Sequence, residues 1–137
     1  MAAIAASRSN IRDYMPSEGA FGEAGDEPVI DLVHLARQTD SDQALEVELL
    51  EMFERQSGRI ASQLVRTGPD EGKLCGDLAH MLKGSALAIG AGRVARAAQA
   101  YEAIHAAGSR GGSSSEALDE LVDAVAEARA AIGRLLR

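Results

Sequence analysis

The stretch DEGKLCGDLAHMLKGSALAIG, Asp70 to Gly90, decides the fold. At about 100° per residue, with Leu82 at the centre, Leu74, Leu78, Ser85, Ala86 and Ile89 fall within about 80° of it, an apolar stripe on one side of a helix. The spacing predicts a helix from about Asp70 to Ile89, with GAG, Gly90 to Gly92, as its stop. Cys75 falls near the same stripe and reads as a small buried hydrophobe. Ser85 lies on the inner side, where a small side chain permits close packing. His80 falls about 160° from Leu82, almost opposite the core.

The same periodicity recurs on both sides. PVIDLVHLARQ reads as a short first helix with Pro28 near its start. TDSDQALEVELLEMFERQSGRIASQLVRTG reads as a long second one, capped by Asp40, Ser41 or Asp42, with Leu45, Leu49, Met52, Phe53, Ile60 and Leu64 at three- and four-residue steps. RVARAAQAYEAIHAAG presents Val94, Ala97, Ala98, Tyr101 and His105. SRGGSSS is a flexible linker by composition. SEALDELVDAVAEARAAIGRLLR closes the series behind Ser115 as cap. No stretch alternates as a strand would. The fold class is therefore all-α: an antiparallel four-helix bundle with a short extra N-terminal helix. Residues 1–27, rich in breakers such as MPSEGAFGEAGDEP, form a flexible N-terminal arm, and residues 28–137 form the helical domain.

Composition narrows the function. The 137 residues carry a net charge of −7, which disfavours nucleic acid and anionic membrane surfaces alike. No apolar run approaches the roughly 20 residues needed to span a bilayer. The start MAAIAASRSNIRD lacks the layout of a signal peptide, and the single Cys75 makes no internal disulfide. A cytoplasmic location is expected. His34, His80 and His105 lie on different helices with no i,i+3 or i,i+4 pair and no cluster of other ligands, so no metal site is expected. His34 and His105 fall on apolar stripes and read as packed or helix-boundary residues.

The outer face around His80 needs another explanation. Its neighbours are Lys73, Gly76, Asp77, Gly84 and Leu87, with Lys83 at the edge. A glycine inside an exposed helix costs about 0.5–1 kcal/mol relative to alanine. Two of them, one turn before and one turn after a single imidazole, suggest that another molecule comes close to the ring. Leu87 adds an apolar contact, and Lys83, at i+3, can hold a positive charge above the ring. Imidazole, with a reference pKa of about 6.5, is a good nucleophile near neutral pH. Phosphoryl transfer asks mainly for positioning and charge stabilisation. An imidazole open to a docked partner, with a cation beside it, suits a phosphoryl group handed to and from His80. Asp77, one turn back, can accept a hydrogen bond from Nδ1 and leave Nε2 as nucleophile; a solvated surface charge is its other reading. GSALAIGAG lies partly within a helix and is no nucleotide loop, so an ATP-dependent kinase is not expected.

HMLKGSALAIG resembles the motif of histidine-containing phosphotransfer (Hpt) domains: His-x-Leu-Lys-Gly, two small residues, three further residues and Gly. His80, Leu82, Lys83, Gly84, Ser85, Ala86 and Gly90 match in type and spacing. LLEMFERQSGRIASQL is similar to the family's preceding helix and AAQAYEAIHAAG to its following one, so the likeness runs from about Val29 to Arg137. It implies His80 as phosphoacceptor and Lys83 beside the phosphate. It also implies a small residue at Gly84 for close approach, and receiver domains of response regulators and hybrid histidine kinases as partners. The chain itself would bind no cofactor; Mg²⁺ would sit on the partner receiver. GSRGGSSS is looser than the family's usual connection. Two other classes stay open: a non-catalytic docking module that regulates a receiver or kinase by binding, and a phosphatase for phospho-aspartate that would depend on Asp77.

Overall fold

A computed structural model describes residues 27–67, 70–107 and 112–137. The expected arm therefore lies outside the described residues except for Glu27, as do Pro69 and residues 109–111 of the linker. Five helices and no strand occur among the described residues: α1 Leu32–Gln38, α2 Gln43–Arg66, α3 Gly72–Ile89, α4 Gly92–Ala106 and α5 Gly112–Leu136. Each of the last four packs on two others, α2 on α3 and α5, α4 on α3 and α5, while α1 rests on α3 and α2. The enclosed core joins Phe53, Ile60 and Leu64 of α2, Leu78, Leu82, Ala86 and Ile89 of α3, Val94, Ala98 and Tyr101 of α4, and Leu121, Val125 and Ile132 of α5.

Local chemistry sets the ends. The Asp31 carboxylate accepts from the His34 amide at 3.1 Å, so α1 begins behind this cap and not at Pro28. Of the three candidate caps for α2, Asp42 does the work, accepting from the Leu45 amide at 3.1 Å. Asp40 and Ser41 occupy the left-handed region, φ 54° and 64°, and turn the chain into that cap. Gly90 ends α3 at φ 82°. A Cβ there would also lie 2.8 Å from the Asp31 carbonyl, so glycine is needed for conformation and for space. The Asp31 amide donates to the Gly90 carbonyl at 2.9 Å, fastening α1 to the end of α3.

Three expectations need correction. α5 starts at Gly112, so part of the linker SRGGSSS is helical and Ser115 lies inside the helix instead of capping it. Leu45 and Met52 are exposed, because the buried face of α2 runs through Leu50, Phe53, Ser57 and Ala61. Leu74 is 38% exposed although it sits on the stripe. Cys75 and Ala79 are buried and Gly72 and Gly76 half-buried, which turns the packed arc of α3 away from Leu74 and towards α4. Small residues along that flank let the two helices approach closely.

Candidate functional site

That rotation places His80 at the rim of the α3–α4 seam. Its side chain is 67% exposed, as the wheel predicts, and yet one ring nitrogen is held. Nδ1 lies 2.9 Å from Oε2 of Glu102 on α4. A carboxylate only accepts, so Nδ1 carries the hydrogen and the neutral ring keeps its lone pair on Nε2. The two helices fold back on each other about Gly90–Ala91. His80 lies ten residues before Gly90 and Glu102 eleven after Ala91, so the chain reversal brings them level. Glu102 is the one functional candidate that reading the residues one helix at a time misses. The signal was present in the count from the short turn.

The other predicted residues divide into three groups. Asp77 is paired with Lys73 at 2.9 Å, both side chains largely in solvent, and His80 is held by Glu102 instead. Gly84 and Leu87 share the open side with His80. A Cβ on Gly84 would meet nothing within 4 Å, and Leu87 is 52% exposed. Lys83 is half-buried at the α4-facing edge, three residues on from His80. Gly76 belongs elsewhere. A Cβ on it would lie 3.9 Å from the His105 Cβ, so this glycine borders the α4 seam, not the open face.

Behind the site the seam is filled by packed rings. His105 packs edge-on against Tyr101 with ring centroids 4.5 Å apart. Burial pushes the Tyr101 phenol up to about 12, with the Cys75 thiol beside it acting in the same direction. Ser85 donates to Gln56 of α2 at 2.9 Å and so ties the motif helix to its other neighbour. His34 reaches across from α1, its Nε2 2.7 Å from the Leu87 carbonyl. That oxygen is among the last carbonyls of α3, where a helix lacks internal donors. Both expected boundary histidines therefore do structural work. Among the described residues no group of His, Cys, Asp and Glu is arranged to hold a metal ion.

The face thus carries an exposed imidazole with one nitrogen fixed, a half-buried lysine three residues on and an open glycine four residues on. The sequence profile of the Hpt domain matches residues 48–131, well over half of the chain, and the chain belongs to the Hpt domain family. No curated protein and no solved structure is significantly similar to it. Hpt domains are phosphocarriers of two-component systems rather than kinases, and they interact with receiver domains. No helix among the described residues is long and apolar enough to cross a membrane.

Proposed function

We propose that this protein is a phosphorelay intermediate whose phosphoacceptor is Nε2 of His80. The bundle is read as antiparallel over α2 to α5, with α1 across one end and His80 on an outward face midway along α3. In the forward step the Nε2 lone pair attacks the phosphorus of a receiver's aspartyl phosphate. An N–P bond forms, the P–O bond to the aspartate breaks, and the carboxylate leaves. In the second step the carboxylate of another receiver attacks the same phosphorus, and Nε2 recovers its electron pair. The proton stays on Nδ1 throughout, donated to Glu102.

Each neighbour has a separate part. Glu102 balances the positive charge that grows on the ring as the N–P bond forms, a charge-assisted bond of the stronger kind. Lys83 faces the negative phosphoryl oxygens. Gly84 and Leu87 make the surface on which the receiver settles, and the Lys73–Asp77 pair borders it. Mg²⁺ belongs to the partner's acidic site, and the carrier needs no cofactor of its own. A cytoplasmic setting follows from such partners.

The observation that carries this reading is the Nδ1–Glu102 hydrogen bond on an imidazole otherwise open to solvent. It selects one nitrogen as nucleophile, which a surface histidine without a role has no reason to do. The test is transfer from a receiver domain, labelled on its aspartate by a small phosphodonor, to wild type and to His80→Gln. An acid-labile, base-stable phosphate on wild type alone is the expected result. Labelling of His80→Gln would sink the proposal. Binding without transfer, across a broad panel of receivers, would favour a docking module that acts by occupancy.

A further inference from the structure

At the end of α3 a cleft of about 190 Å³ opens between α1 and the α3–α4 turn. Its apolar wall is made by Pro28, Ala86, Leu87 and two glycines, Gly90 and Gly92. The polar groups at its edge already have partners. Glu27 is bound to Arg96 at 2.7 Å, Asp31 caps α1, and His34 holds the Leu87 carbonyl. A guest would find carbon and little else, so the chemistry that fits is an apolar side chain, not an anion or a cation. An apolar cavity of about 150 Å³ accommodates benzene, which puts a Leu, Met or Phe side chain in the right range.

Leu87 ties this cleft to the His80 face, since it lines the one and is exposed on the other. Seven residues of helix separate His80 from Leu87, about 10.5 Å along the axis. An ordinary interface covers about 800 Å² on each partner, a disc of roughly 16 Å radius. A receiver centred on His80 therefore reaches the cleft. The larger cavity, about 560 Å³ between α1, the start of α2 and the end of α5, shares no residue with that face.

We propose that the cleft takes an apolar side chain projecting from the docked receiver, and that it helps decide which receiver is served. The inference rests on the relay reading above. Pro28, Asp31 and His34 precede the span matched by the family profile, which begins at residue 48. The pocket is thus built in part from residues outside the matched Hpt region.

The probe is a receiver domain that phosphorylates the wild-type chain. Pro28 is exposed and outside every helix, so Pro28→Glu puts a charge at the mouth of the cleft without touching the site. It should weaken receiver binding at least tenfold, about 1.4 kcal/mol. It should raise KM for transfer and leave kcat unchanged. Independently, titration of labelled wild type with the receiver should shift the Gly90 and Gly92 amide resonances together with Gly84. Wild-type binding and KM in Pro28→Glu, or shifts at Gly84 without Gly90 and Gly92, would overturn the cleft and leave the relay standing. Absence of transfer to wild type would overturn both.

Discussion

Gly76 and Gly84 stand on the same helix, one turn to either side of His80, and they serve opposite ends. Gly84 faces open space; Gly76 faces His105 across the α3–α4 seam. The first surrenders helix stability with no packing to gain from it, as the proposed docking of a receiver on that face would require. The second lets two helices close on one another. An identical residue at symmetric spacing thus has its meaning set by how far the helix is rotated against its neighbour.

Substitutions can break this contrast, and the largest effect is expected on the open side. Gly84→Arg should reduce receiver-to-chain transfer on the order of 100-fold, about 2.7 kcal/mol, with no loss of thermal stability. A lowered melting temperature with transfer intact would instead make Gly84 a packing residue.

The seam answers to alkali. Tyr101 has its phenol raised to about 12 in the folded state, above the ordinary value near 10. The stability this contributes is fully present below about pH 10 and is lost as pH rises towards 12. It amounts to about 2–3 kcal/mol. Denaturant melts of wild type across that range should weaken more than those of Tyr101→Phe; parallel curves would place the phenol outside the seam.

Gly76→Leu should cost about 1–3 kcal/mol of stability by overpacking against His105, read from the denaturation midpoint, with transfer per folded molecule unchanged. Glu102→Gln keeps an acceptor for Nδ1 and removes the charge. It should lower kcat for transfer about 3- to 10-fold, near 1 kcal/mol, and leave receiver affinity as it was. An unchanged kcat would make the Glu102 contact incidental. Gly84→Ala, the smallest change, should stabilise the fold by about 0.5–1 kcal/mol and slow transfer only slightly.

Sequence carried much of this because helix periodicity is local. The stripe through Leu78, Leu82, Ala86 and Ile89 predicts both the core of α3 and the exposure of His80, and the structure agrees on each. The stop at Gly90 and an acidic cap for α2 are short-range signals of the same kind. What stayed illegible depends on how helices are turned against each other. Leu74 lies at the edge of the stripe, about 80° from Leu82, and a modest rotation towards α4 exposes it. The same rotation moves Gly76 into the seam and brings Glu102 to Nδ1, a role that sequence reading offered to Asp77. The start of α5 inside a Gly/Ser run was missed because composition ranks such residues as linker whatever the helix beyond them packs on.

The central claim is that Glu102 leaves one nitrogen of His80 to carry the phosphoryl group. The most direct measurement is the site of phosphorylation, read by one-bond ³¹P–¹⁵N coupling in protein labelled with ¹⁵N-histidine and phosphorylated by a receiver. Phosphorus coupled to Nε2 of His80, with Nδ1 still protonated, is the predicted result. Phosphorus on Nδ1, or on any residue other than His80, would contradict it.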